Sequence, residues 1–197
     1  MTVITISRQL GSLGTTLGRK VASILGYTLI HREIINQAAQ MASSPELALA
    51  TIDELGLLGI ETGESNQQAY LDAVRTVIKG YAMRGDVVIV GRAGQAILHD
   101  QEHVFHLRVV APLKTRVQRI VKVHGISELS AQAQIIESDQ FRARYLKQFY
   151  GIDWNDPSLY HLTINTGNLR LPDAAEVICT ALRLFKDDNT PREGSVE

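Results

Sequence analysis

The run Asp86-Val-Val-Ile-Val-Gly91 constrains the fold more than any other stretch of this 197-residue chain. It is continuously apolar and bounded by Gly85 and Gly91, without the alternation of a strand that keeps one wet face. Such runs are strands buried on both faces of a parallel sheet. Parallel neighbours need long crossovers, usually helical, and the rest of the chain supplies them. Val3 to Ile6 reads as a short β-branched strand, Arg8 to Gly14 as a turn, and Thr15 to Leu25 as a helix with Leu17, Val21, Ile24 and Leu25 at helical spacing.

The same alternation continues to the C-terminus. Gly26 ends the first helix, Tyr27 to Ile30 is a brief strand, and Arg32 to Met41 and Gln67 to Met83 carry helical apolar faces. Val104 to Val110 is a strand, Pro112 can open a helix over Leu113 to Val123, and Ser130 to Tyr150 is a long polar helix. Tyr160 to Asn165 and Leu171 to Phe185 close the series as strand and helix. This order predicts an α/β fold, a parallel sheet flanked by helices on both sides with right-handed crossovers. One domain is expected over residues 1–186, with a weakly patterned insertion at about 42–66 and a polar tail at 187–197. Leu55, Leu57, Leu58 and Ile60 in the insertion have two ordinary destinations, the core or a second copy of the chain, so a homodimer is one expectation.

Composition removes several classes of function. A net charge of -1 offers no global pull toward nucleic acid or an anionic membrane, so any anion binding must be local. No apolar stretch approaches the roughly 20 residues of a membrane span, and no basic segment followed by an apolar one marks the N-terminus for export. The single cysteine, Cys179, lies in an apolar helical pattern and reads as inert core. A cytoplasmic protein is expected.

In open parallel sheets, ligands bind beyond the carboxyl ends of the strands, which directs attention to the loops after Ile6, Val90 and Val110. The first loop, Ser7-Arg-Gln-Leu-Gly-Ser-Leu-Gly-Thr-Thr-Leu-Gly18, joins a strand to a helix. Unpaired N–H groups at a helix start, wrapped by a glycine-rich turn, form an anion cradle, and Thr15 and Thr16 add hydroxyls. The plainer reading is that Gly11 and Gly14 only permit a tight turn. The phosphate-loop pattern G-x-x-x-x-G-K-[ST] is not met, because Leu13-Gly14-Thr15 stands where Gly-Lys-Thr would fall. Arg8 and Arg19 are the cations nearby, although Arg19 lies a full turn into the helix and fits a solvated surface equally well.

Arg92, in Gly91-Arg-Ala-Gly94, emerges from the most buried strand where a guanidinium can grip a phosphate; capping or ion pairing is the alternative. Arg116, Arg119 and Lys122 lie on one helix, and Asp139, Arg142, Arg144, Tyr145 and Lys147 on the next. Arg116 and Arg119 share a face, whereas Arg142 and Arg144 point about 160° apart and cannot face one ligand equally. Isolated pairs of this kind are usually solvated; their concentration in one half of the chain suggests a closing lid.

Several of these pieces, taken in order, resemble the cytidylate kinase-like family. They are Ile4-Thr-Ile-Ser-Arg-Gln-Leu-Gly-Ser-Leu-Gly14, Val90-Gly-Arg92, Leu107 to Arg119 with Ala111-Pro-Leu113, Asp139-x-x-Arg142-x-x-Tyr145, and Tyr160 to Thr166. The resemblance implies a P-loop nucleoside monophosphate kinase fold with a helical lid at about 124–150. It implies phosphoryl transfer from ATP, with Mg²⁺, to CMP or a similar monophosphate. Carried onto this chain, Arg8, Gly11, Ser12, Gly14, Thr15 and Thr16 would bind the donor, Arg92 would hold the acceptor phosphate, and Arg116, Arg142 and Arg144 would close over the transferring group. No metal ligand is assigned.

The chain departs from the family where Gly-Ser-Gly-Gly-Arg is common and Gly11-Ser-Leu-Gly-Thr15 stands instead. A side chain at Leu13 disfavours positive φ, so a cradle that needs positive φ there would have to change shape. His31 and His161 stand where the family tends to carry acids. Their plainer readings are a neutral surface or cap residue and a packed strand residue. These departures support the alternative of a nucleotide-binding regulator, or degenerate kinase, that keeps the fold without efficient turnover.

Overall fold

A computed structural model describes residues 2–31, 33–41 and 64–188. Most of the insertion expected at 42–66 lies outside the described residues, as do Leu55, Leu57, Leu58, Ile60 and the chain beyond 188. The described elements are β1 (Val3–Arg8), α1 (Gly14–Leu25), β2 (Thr28–Ile30), α2 (Glu33–Met41), α3 (Glu64–Arg84), β3 (Val87–Val90) and α4 (Gly94–Ile97). They continue with β4 (Val104–Val110), α5 (Leu113–His124), α6 (Glu128–Tyr150), a 3₁₀ turn at Pro157–Leu159, β5 (Leu162–Asn165) and α7 (Leu171–Asp188).

The five strands form one sheet in the order β2-β3-β1-β4-β5, and every neighbouring pair is parallel. The expected architecture is therefore the observed one. β3 sits second from the edge, and all four of its residues are buried, as a continuous apolar run requires. β1 runs two residues further than its β-branched stretch because Ser7 and Arg8 stay in register with Arg108 and Val109 of β4. Its two polar residues hid that extension from pattern reading.

Alternate residues of the strands face two separate layers. Val3, Val87, Ile89 and Val104 pack with Ile34 and Ala38 of α2 and Tyr70, Val74, Val77 and Ile78 of α3. Ile4, Ile6, Val88, Val90, Leu107 and Val109 pack with Leu17 and Val21 of α1 and Ala174, Ile178 and Leu182 of α7. At roughly 25 cal/mol per Å² of apolar area removed from water, these layers are the main stabilising force and hold the strand ends in a fixed array. A third group, Leu71, Ala93, Phe141, Tyr145, Leu146 and Trp154, packs α6 against the carboxyl edge of the sheet. Ser127 caps α6, its Oγ accepting from the Ser130 N–H at 3.1 Å. Among the described residues no helix is long and apolar enough to cross a membrane.

Two histidines stabilise the β4–β5 edge. His106 is 5 % exposed and its Nδ1 lies 2.7 Å from the Thr5 hydroxyl. Its backbone N–H donates to His161 Nδ1 at 2.9 Å, and the His161 ring stacks on Phe105. His161 is thus packed and hydrogen-bonded, as its place beside a strand suggests. Burial, with the nearby His161 and His99 adding to it, lowers the His106 pKa from 6.5 to about 4. The unfolded chain therefore binds more protons than the folded one between these values. The stability contribution is fully present above the unfolded value and is lost as pH falls toward 4. Unfolding free energy should drop by about 2 kcal/mol between pH 7 and pH 5 from this group alone. Denaturant titrations at the two pH values should show that drop in the parent chain and a flatter profile in His106→Gln; equal slopes would refute it.

Candidate functional site

The carboxyl ends of β1 and β3 open onto a cleft enclosing about 520 Å³ of empty space, its open mouth included. Ser7, Arg8, Gly91, Arg92, Gln95, Arg142, Tyr145 and Trp154 contribute to its wall. Beside it the chain passes from β1 into α1 through residues 9–13.

This connection is held from behind by its carbonyl groups. The Leu10 carbonyl accepts from Arg116 Nη1 at 3.2 Å, the Gly11 carbonyl from Arg119 Nη1 at 3.2 Å, and the Ser12 carbonyl from the Thr166 hydroxyl at 2.7 Å. Arg119 also donates to the Thr166 carbonyl at 2.7 Å, which joins the loop to the end of β5. Gly11, at φ 77°, lies against α5 so closely that a Cβ would stand 3.1 Å from the Arg116 backbone carbonyl. Only glycine meets both conditions.

Within the loop the Leu10 N–H is taken by Asp139 and the Ser12 N–H by the Gln9 carbonyl, so the helix start is where N–H groups remain for a ligand. The first intrahelical bond of α1 runs from Leu17 N–H to the Leu13 carbonyl at 2.9 Å, so Gly14, Thr15 and Thr16 have no acceptor for their N–H groups within the helix. No side chain caps this helix start. Leu13 itself adopts the left-handed conformation, φ 63° and ψ 19°. The cradle therefore keeps its shape despite the side chain, at a strain of about 1–3 kcal/mol. Arg92 and Ala93, at φ 55° and 56°, repeat this strain before α4 on the other side of the cleft.

Asp139 of α6 joins these parts. Its Oδ1 accepts from Leu10 N–H at 3.2 Å and from Arg142 Nη1 at 3.4 Å, and its Oδ2 accepts from Arg116 Nη1 at 2.7 Å. The Arg116–Asp139 pair is largely shielded, with side-chain exposures of 8 % and 17 %. It therefore fixes α6 and the loop relative to each other more firmly than a surface pair would.

Arg8, Arg92 and Arg142 converge in the cleft. Burial lowers the pKa of Arg8 well below its usual value, and repulsion from Arg142 and then Arg92 adds to this. Arg92 is likewise lowered, first by burial and against the opposing influence of Tyr70 and Tyr145. Burial brings Arg142 down to about 10, with Asp139 opposing. A bound anion relieves this mutual repulsion, so the cluster favours a ligand with several negative charges. Arg8 Nη2 lies 3.0 Å from His31 Nε2. Since a guanidinium only donates, that histidine nitrogen accepts and carries no proton in this contact.

The far wall depends on Arg108 of β4, a buried cation stacked over Trp154 with its carbon 4.5 Å from the ring centroid. It donates to the Trp154 carbonyl and, at 2.8 Å, to Asn155 Oδ1. Trp154 Nε1 in turn donates to the Ser7 hydroxyl at 2.7 Å.

Of the residues singled out in the sequence, the structure brings Arg8, Arg92 and Arg142 to one cleft, and Gly11, Ser12, Gly14, Thr15 and Thr16 to the neighbouring loop and helix start. It does not bring Arg116 or Arg144 to the cleft wall: Arg116 is buried behind the loop, and Arg144 is exposed. The divergence of Arg142 and Arg144 is the one that helical geometry requires. Thr166, Arg108 and Trp154 were not singled out in the sequence as parts of the site, Arg119 of the arginine cluster grips the loop, and His31 supports Arg8 rather than serving as a plain cap. The shared face of Arg116 and Arg119 was the available signal; the others meet their partners only in the folded chain.

Comparison with known proteins bears on the family and the fold. The model of the cytidylate kinase-like family matches residues 3–168. A cytidylate kinase of Pyrococcus horikoshii is 33 % identical over 165 residues, spanning 83 % of this chain and 79 % of that protein. Among solved structures, an uncharacterized protein from Eubacterium ventriosum superposes with a TM-score of 0.73 at 20 % identity, covering 93 % of this chain and 99 % of that one. A shikimate kinase from Acinetobacter baumannii, solved with shikimate, superposes with a TM-score of 0.54 at 14 % identity, covering 96 % of each chain. The parallel sheet and its flanking helices are those of a P-loop kinase fold, and this chain belongs to the cytidylate kinase-like family.

Proposed function

We propose that this chain transfers the γ-phosphoryl group of ATP to a nucleoside monophosphate in the cytoplasm, with CMP or a CMP-like molecule as acceptor. Its membership in the family and its similarity to a cytidylate kinase support the reaction class. The chemistry of the cleft wall supports a monophosphate rather than a hydroxyl as acceptor. Among the described residues it presents three arginines, Gln95 and aromatic rings, and no carboxylate. The Tyr145 hydroxyl, its pKa raised well above the usual value by burial and by Tyr150, stays protonated. Such a wall favours an acceptor that is already ionised over a hydroxyl, which must lose a proton. A monophosphate, with a second pKa near 6, already presents an ionised oxygen at neutral pH.

In this reading the donor phosphates lie against the turn at Gly11 and Ser12 and on the N–H groups of Gly14, Thr15 and Thr16, where the helix start attracts anions. Arg92 and Arg142 hold the acceptor phosphate, and the segment 124–150 serves as the lid that carries Arg142. Arg116 acts as a positioning residue through the Leu10 carbonyl. An oxygen of the acceptor phosphate bonds to the γ-phosphorus as the bond to the bridging oxygen breaks, and ADP departs with that electron pair. No proton need move. Catalysis then rests on alignment and on cations that stabilise charge at the transferring oxygens.

No group of three or more acidic, histidine or cysteine side chains that could hold a metal occurs among the described residues. The hydroxyl of Thr15, at the position of the phosphate-loop Ser/Thr, is a hard oxygen donor that suits Mg²⁺, with the nucleotide phosphates as its main partners. The ion would supply further neutralisation of phosphate charge.

A panel of CMP, dCMP and UMP with ATP and Mg²⁺, followed by ADP release, should show turnover with CMP foremost. ATP binding by calorimetry without turnover of any monophosphate would instead support a nucleotide-binding regulator. Arg92→Ala should reduce kcat/KM for the acceptor at least 100-fold while ATP affinity stays within a few fold. An equal loss of ATP affinity would remove Arg92 from the acceptor side.

A further inference from the structure

The pattern G-x-x-x-x-G-K-[ST], laid over this chain with its hydroxyl at Thr15, places its first glycine at Arg8, its second at Leu13 and its lysine at Gly14. The presence of Arg8 and the lack of a lysine at 14 are two sides of one steric condition. A Cβ at residue 14 would stand 2.5 Å from the Arg8 Cβ and 3.0 Å from its Cγ. The Arg8 Cβ is fixed by the backbone of β1, so it cannot swing aside. Position 8 or position 14 can carry a side chain here, and not both.

From that crossing the Arg8 side chain passes over Gly91. A Cβ at Gly91 would collide with the guanidinium and stand 3.0 Å from Cζ. Beyond Gly91, Arg8 reaches His31 Nε2 at 3.0 Å. Two glycines thus clear the path of this side chain, a histidine acceptor fixes its far end, and the head lies in the wall of the cleft with Arg92 and Arg142. Arg8 is 9 % exposed, so the charge is delivered to the interior of the site rather than to its rim.

We infer that Arg8 replaces the phosphate-loop lysine, supplying its charge from strand β1 and contacting the phosphoryl group as it passes between donor and acceptor. This rests on the phosphoryl transfer proposed above. An arginine offers a planar fork that can span oxygens of two phosphates, where a lysine offers a point charge. Its path over Gly91 brings that fork to the residue next to Arg92.

A double-substitution cycle tests the inference. Gly14→Ala alone should lower the thermal midpoint sharply, and the same change in an Arg8→Gly background should be tolerated, because the blocking Cβ is gone. The remaining neighbour, Val109 Cβ at 3.3 Å, needs only a small shift. Arg8→Gly should reduce kcat at least 100-fold, and Arg8→Gly with Gly14→Lys should recover at least tenfold of that loss. Retention of kcat within threefold in Arg8→Gly would overturn the inference. So would a folded double variant no more active than Arg8→Gly. If the parent chain turns over no monophosphate, the transfer reaction itself fails, and ATP affinity by calorimetry decides the role of Arg8. Arg8→Gly must then weaken ATP at least tenfold and Gly14→Lys in that background restore it; any other pattern refutes the assignment.

Discussion

The carboxylate of Asp139 is the contact on which the geometry of the site depends. It accepts from the Leu10 N–H, pairs with Arg116 and lies beside Arg142, so one side chain on α6 meets the loop, α5 and the cleft. Arg116 carries the restraint to the Leu10 carbonyl, and Arg119 and Thr166 continue it along Gly11 and Ser12. Three consecutive carbonyls are thereby occupied on the far side of the loop. The near side is left to backbone N–H groups at a helix start, an arrangement with no affinity for cations and a strong one for phosphate oxygens.

Strain accompanies this arrangement on both sides of the cleft. Leu13 before α1, and Arg92 and Ala93 before α4, hold left-handed conformations that side chains disfavour. Nothing local prefers them; surrounding contacts over-determine them. The burial of Ala93 against α6 and the bonds that grip residues 10–12 are such contacts. In the proposed reaction, this fixed backbone cradles the donor, Arg8 of β1 stands in for the lysine of an ordinary phosphate loop, and arginines from the β3–α4 turn and α6 add to the charge.

The sheet was legible because its strands carry their own signal: β3 is apolar throughout, and the helices between strands show their buried faces by spacing. Arg92 and Arg142 were legible as cations beyond strand ends or in a charged cluster. The divergence of Arg144 was legible too, from helical periodicity alone. The role of Asp139 was not, since it meets Leu10 across 129 residues of sequence. His31 and Arg8, or Trp154 and Ser7, are likewise joined only by the order of strands. Gly14 shows the limit most clearly. It invites reading as a phosphate-loop glycine, and its lack of a side chain equally makes room for Arg8. Which neighbour a glycine accommodates is a fact of three dimensions.

ATP affinity in Asp139→Asn measures most directly whether the pinned loop is what holds the donor. The amide keeps the shape of the carboxylate and can still accept from Leu10, but it loses the charge that secures Arg116 and Arg142. With folding verified by thermal unfolding, calorimetry should show ATP binding weakened at least tenfold. A folded Asp139→Asn chain that binds ATP as tightly as the parent would contradict the dependence of donor binding on this restraint.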